Sequence, residues 1–255
     1  IAPHAIYTCS PETLKKSKLI SERYGTPIHT HLSETEWEVK NTLLKYGKKP
    51  VKLLESINFL DESLTLAHCI WIDDDEIELL AKHKVGVSHC MESNLKLASG
   101  FAPVVTMLTA GVKITFGTDS AASNNDLNIL SEMATTAKVH KALSSDPTVL
   151  DAKTAILMAT RWGAEVLGLG EKTGSIEVGK LADIITINLR KPHLTPLYDV
   201  YSHIVYAARA SDVEDVMVNG RLQIKKGKHI AANEEEILQK AEQWGQKIAD
   251  HNSQV

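Results

Sequence analysis

TPIHTHLSE (26–34), LTLAHC (64–69), VGVSHC (85–90) and VKITFGTDS (112–120) share one pattern: a short apolar run closed by a polar residue, His31, His68, His89 or Asp119. Short apolar runs of this kind read as buried strands. Helical stretches separate them. Residues 11–24 carry Ser10 as a cap, Pro11 at the first helical position and Gly25 behind the end. Residues 35–46 read as a helix stopped by Gly47, and 73–84 open with three aspartates and a glutamate, which suits the positive end of a helix. Residues 101–111, 126–143 and 151–167 complete the set. Strand and helix in alternation predict parallel βα units. In a βα barrel the chemistry gathers at the C-terminal ends of the strands. A polar cap is the ordinary explanation for one such residue. Four successive strands ending in three histidines and an aspartate point to a site.

After residue 170 the texture changes. GSIEVGKLADIITINL (174–189) has a period-2 pattern punctuated by glycine, and VEDVMVNGRLQIKKGK (213–228) contains Asn219-Gly220, a strong hairpin signal. The expected organisation is therefore a barrel portion over 1–170, part of a composite β-sandwich over 171–232, and a polar amphipathic C-terminal helix within 233–255.

Composition narrows the function classes. The 255 residues include 28 basic and 32 acidic side chains, for a net charge of −4, which gives no electrostatic case for nucleic acid. No apolar run reaches the roughly 18 residues of a membrane span, and the first residues carry no signal-peptide pattern. Cys9, Cys69 and Cys90 are odd in number and far apart, forming neither a disulfide framework nor a CxxC zinc site. A cytoplasmic setting is expected. The oligomeric state stays open, a homo-oligomer included.

Imidazole and carboxylate are the usual ligands of a zinc-type catalytic metal. His31 and Asp119 are of ligand type. Glu34 lies three residues past His31, on the loop above the same strand end, where it can act as acid or base. His68 and His89 are candidates to orient or polarise. Two of these have ordinary alternatives: Asp119 as a turn cap, and His89 as a core histidine. His140 and His203 fall on helical stretches and are not expected to be catalytic.

At these residues the chain resembles a known family. HTHLSET (29–35), LAHC (66–69), VSHCMESNLKLASG (87–100) and TFGTDSAASNN (115–125) are similar to strands 5 to 8 of the amidohydrolase superfamily. APHAIYTCSPE (2–12) resembles strand 4 of its 5-methylthioadenosine/S-adenosylhomocysteine deaminase branch. The resemblance implies the second half of a (β/α)8 TIM-type barrel, one divalent metal, usually zinc, and hydrolytic deamination of an adenosine-type thionucleoside. It implies His31 and Asp119 as metal ligands, with Asp119 also taking the proton of the attacking water. Glu34 would pass a proton to the purine ring nitrogen, and His68 would hydrogen-bond the attacking hydroxide. His4, Glu34 and Asp119 would contact the substrate. Cys90-Met91 departs from the Asn-Pro or Cys-Pro of many relatives, which bears on the loop after that strand and not on the ligands.

The superfamily's strand 1 carries an HxH that supplies two further ligands. His29-Thr-His31 has that form but is read here as strand 5, with His29 expected to point away into packing. The interval from His31 to Asp119 holds only about three βα units, whereas a full barrel takes about 250 residues. The chain is therefore expected to be a portion of a longer polypeptide whose missing N-terminal half-barrel is its partner, and to be inactive alone. Alternatives on the same barrel are a guanine, cytosine or triazine-type aminohydrolase or chlorohydrolase. A different class altogether is a non-catalytic half-barrel scaffold. The other zinc deaminase fold is excluded, because neither HxE nor PCxxC occurs.

Overall fold

The computed structural model describes residues 1–252. Helix ends follow local chemistry. In α1 (Pro11–Tyr24) the Ser10 hydroxyl accepts the Thr13 N–H, and Gly25 turns out of the helix at φ 59°. β1 (Ile28–Leu32) leads to α2 (Glu36–Tyr46), capped by Thr35, and then α3 (Pro50–Ser56), which the sequence pattern does not announce. β2 (Leu64–His68) precedes α4 (Asp74–Lys82), whose first turn is closed by a reciprocal Asp73–Glu76 capping box. β3 (Gly86–His89) runs into the short α5 (Met91–Lys96), followed by α6 (Val104–Thr109), β4 (Ile114–Phe116) and α7 (Ile129–Ser144). The helix expected over 151–167 is two: α8 (Ala152–Ala159) and α9 (Arg161–Val166). They part at Thr160, whose backbone leaves the helical region (φ −127°, ψ −92°) and whose hydroxyl bonds back to the Ile156 carbonyl.

β1 to β4 form one parallel sheet in sequence order. Residues 1–5 run beside β1: the His29 N–H donates to the Ile1 carbonyl, the His31 N–H to the His4 carbonyl, and Ala5 bridges His31 in parallel. One face of the sheet, carrying Ile28, Leu32, Leu64, Leu66, Val87 and Ile114, is buried in the hydrophobic core. On the other face Thr65 donates to the Val166 carbonyl, and Thr115 to that of Met158, so α8 and α9 cross the sheet there.

A second, antiparallel sheet comprises β5 (Ile184–Ile187), then, after α10 (Val200–Tyr206), β6 (Val213–Val218), β7 (Arg221–Lys225) and β8 (Lys228–His229). Asn219 and Gly220 both have positive φ (49° and 73°) between β6 and β7, as a two-residue hairpin turn requires. Only the end of the period-2 stretch 174–189 is a strand. Gly174 and Gly179 are left-handed (φ 92° and 96°) and break the extended run before it starts. α11 (Glu234–Asn252) closes the described chain; residues 253–255 of the expected C-terminal helical portion lie outside the described residues. No helix among the described residues is long and apolar enough to cross a membrane.

A buried carboxyl ties together the loops that follow β3 and β4. Glu132 of α7 accepts the Glu92 N–H at 3.3 Å and the Asn124 amide at 2.9 Å, and the same amide also donates to the Thr118 carbonyl. Burial pushes Glu132 up to about 7. The N–H groups of Glu92 and Met91 and the Asn124 amide pull against that rise, and the Glu92 charge adds to it.

Two outcomes are expected. A Cβ on Gly86 would lie 2.6 Å from Val166 Cγ1, and a β-branched valine in a packed helix has little rotamer freedom. Gly86→Ala should lower stability by about 1–3 kcal/mol, and Val166→Ala in the same chain should recover part of it, read by urea unfolding. The second concerns pH. Between the ordinary glutamate value near 4.5 and about 7, Glu132 holds more proton in the folded chain than in the unfolded one. Stability contributed by this group therefore falls as pH rises through that window, by roughly 2–3 kcal/mol, and is level above it. Unfolding titrations from pH 5 to 8 should show this fall, and Glu132→Gln should flatten it.

Candidate active site

The C-terminal ends of β1, β2 and β4 bring His31, His68 and Asp119 to one edge of the sheet. His31 is half-buried, and its Nδ1–H donates to the His4 carbonyl at 2.7 Å, which leaves Nε2 as the nitrogen open to a ligand. Its ring stacks on that of His68, with centroids 5.5 Å apart and planes 20° apart.

His68 pairs in register with Leu32 and has the parity of core-facing Leu64 and Leu66. A regular strand would send its ring into the hydrophobic core. Its backbone is left-handed instead (φ 71°), as is that of Cys69 (φ 49°), so the ring turns over the sheet edge onto His31. Nδ1 meets the Asn94 side-chain oxygen at 2.9 Å, and Nε2 lies 3.8 Å from Glu34 Oε2. With Nδ1–H donating to Asn94, Nε2 of the neutral ring is an acceptor.

Glu34 sits on a loop fixed from below. Buried Glu38 accepts the Ser33 N–H at 3.0 Å and the Glu34 N–H at 2.9 Å, while Ser33 is left-handed (φ 50°). Burial raises the Glu38 carboxyl, and those two N–H groups oppose the rise. Asp119, also left-handed (φ 61°), accepts the Ser93 hydroxyl and the Ser120 N–H, each at 2.7 Å. Burial pushes its carboxyl up, but the Ser93 and Ser123 hydroxyls, the Ser120 N–H and nearby His68 outweigh this and hold it below the usual carboxylate range.

His4 is exposed, with its ring 4.9 Å from that of His31 and Nδ1 2.8 Å from the Thr8 hydroxyl. Among the described residues, no three or more His, Cys, Asp or Glu side chains are grouped to hold a metal. A cavity of about 1020 Å³ lies at the opposite end of the strands, around Pro27, Ser63, Gly86, Lys113 and Val166, and contains none of these groups.

Of the two readings open for His89, the core histidine is the one that holds, and one expectation, on His29, is corrected. His89 lies on the core face of β3 with Val87, wholly buried, 5.6 Å from His140 of α7, and burial drives it down to about 3. It is a neutral core histidine. His29 does not turn away into packing. Residues two apart in a strand share a face, so His29 is exposed on the same side as His31, with ring centroids 6.4 Å apart. His140 and His203 lie in α7 and α10, as expected.

Residue-by-residue reading missed Ser93, Asn94 and Glu38. The first two come from α5, within the SNLKLASG stretch, and join Asp119 to His68 through adjacent residues. Glu38 follows Thr35 by three, which is the spacing of a capping box. Its carboxylate reaches past the cap to the Ser33 and Glu34 N–H groups.

Comparison with known proteins places this geometry. The chain is 55% identical over 248 residues to the 5-methylthioadenosine/S-adenosylhomocysteine deaminase of Thermodesulfovibrio yellowstonii, covering 97% of this chain and 56% of that protein. It is 44% identical over 246 residues to the 5′-deoxyadenosine deaminase of Methanosarcina barkeri, covering 96% and 56%. A crystal structure of an adenosine deaminase from Xanthomonas campestris with bound zinc superposes with a TM-score of 0.96 at 38% identity, covering 98% of this chain and 57% of that one. The chain thus spans little more than half the length of the relatives it matches. The model of the amidohydrolase family matches residues 1–222, most of the sequence, and the chain belongs to that family.

Proposed function

We propose that the chain is the second half of a (β/α)8 barrel (1–170) with part of a β-sandwich (171–232) and a C-terminal helix (233–255), in a metal-dependent deaminase of adenosine-type thionucleosides. The observation that carries this reading is the stacking of His68 on His31 with its Nε2 directed at Glu34, achieved through left-handed backbone at the end of β2. A core-stabilising scaffold has no use for such a turn. The names of the relatives support a 5′-modified adenosine as the substrate class.

The donor set fits a zinc-type ion. His31 offers Nε2 because Nδ1 is committed to a carbonyl, which is how ligating histidines are usually oriented, and Asp119 offers a carboxylate held by two donors. Two protein ligands are fewer than the three of a usual catalytic site, so further ligands and the rest of the barrel would come from outside these 255 residues. When bound, such an ion polarises water toward hydroxide near neutral pH.

The chain's own residues then divide the remaining work. His4 contacts the nucleoside. Asp119 removes a proton from the attacking water, and His68 Nε2 accepts that water's other hydrogen bond and orients it. Glu34 donates a proton to the ring nitrogen beside the amino-bearing carbon, which makes that carbon electrophilic. Water oxygen bonds to the carbon, the C–N bond breaks, and the amino group leaves as ammonia with the proton Asp119 took up, while the hydroxyl left on that carbon returns its proton to Glu34 and becomes the ring carbonyl. Three free cysteines and a reaction on a small metabolite fit a cytoplasmic setting.

The test uses the full-length protein. Glu34→Gln should retain metal and nucleoside binding while turnover falls at least about 10²-fold, whereas His31→Ala should lose metal and turnover together. A Glu34→Gln protein that is less stable but turns over normally would make Glu34 a helix-end residue only.

A further inference from the structure

The rings at the site form a continuous row that leads outward. His68 stacks on His31, His31 leans on His4 at 4.9 Å, His4 meets Tyr7 edge-on at 5.6 Å, and Tyr7 meets Trp37 edge-on at 5.7 Å. Exposure climbs along the row, from 1% at His68 to 38% at Tyr7 and 61% at Trp37. Tyr7 follows the segment paired with β1, and Trp37 stands in the first turn of α2, three residues past Glu34, so both are at the C-terminal mouth. The Glu34 and Glu38 charges reach the Tyr7 hydroxyl, which burial and then those two carboxylates raise above its ordinary value. Neither Tyr7 nor Trp37 belongs to the hydrophobic core or to the partly buried side chains packed against it.

We infer that Tyr7 and Trp37 form an aromatic wall that selects nucleosides carrying a thioether at the 5′ position. This rests on the deaminase reading above. There the purine amino group sits at the inner end of the row, between Glu34 and His68. The part of a nucleoside farthest from that amino group is its 5′ position, so the 5′ substituent is the part that meets the outer rings. Aromatic faces and edges attract a thioether more than a hydroxyl, because the polarisable sulfur gains contacts while the hydroxyl gives up water.

The experiment is steady-state kinetics of the full-length, metal-loaded protein on 5′-methylthioadenosine and adenosine. Trp37→Ala is expected to raise KM for 5′-methylthioadenosine about 3- to 10-fold more than KM for adenosine, with kcat moving less than KM. Tyr7→Leu should act in the same direction, and Trp37→Phe should restore most of the discrimination, which separates a contact with substrate from a loss of fold. Equal changes on both nucleosides, or none, in a protein whose parent deaminates them would overturn the wall and leave the deaminase reading intact. A parent protein that deaminates neither overturns both.

Discussion

One carbonyl oxygen couples the sheet to the site. The His4 carbonyl accepts the His31 N–H at 3.0 Å, the His31 Nδ1–H at 2.7 Å and the Thr30 hydroxyl at 3.1 Å. The first aligns residues 1–5 with β1. The second fixes which nitrogen of His31 remains available, since a carbonyl can only accept and Nδ1 must therefore carry the proton. The third anchors the neighbouring residue on the opposite face. Strand pairing and imidazole tautomer are thus set by one atom, and a shift in register would misplace both together.

The rest of the site depends on backbone that ordinary strands avoid. Ser33, His68, Cys69 and Asp119 are all left-handed at the edge where the polar side chains meet. Each such residue costs on the order of 1–3 kcal/mol, and the surroundings must hold it. The surroundings are visible: Glu38 holds the Ser33 and Glu34 N–H groups, Asn94 holds His68, and Ser93 and Ser120 hold Asp119. Glu132 in turn ties the first turn of α5, at Glu92, to the chain at Thr118 beside Asp119.

This division explains what could be read from the sequence. Strands β1 to β4 were legible because burial leaves continuous apolar runs, and helices α1, α2 and α4 because their caps are local chemistry. The ends His31, His68 and Asp119 were legible because polar residues interrupt those runs. α3 and α5 were not, being six or seven residues long with no side-chain cap. His89 stayed open between a site and a core reading for a physical reason: it ends a strand as His68 does, and only the backbone turn at His68, invisible in the residue types, sends one ring to the site and the other into the core. Asn94 and Ser93 stayed unassigned because their role depends on a short helix that spans two strand ends.

The most direct measurement is a crystal structure of the full-length protein with zinc. The account predicts His31 Nε2 and an Asp119 carboxylate oxygen each about 2.0–2.2 Å from the ion, with His31 Nδ1 still donating to the His4 carbonyl. Zinc bound through His31 Nδ1, through His29 in its place, or at a position that touches neither His31 nor Asp119 would contradict it.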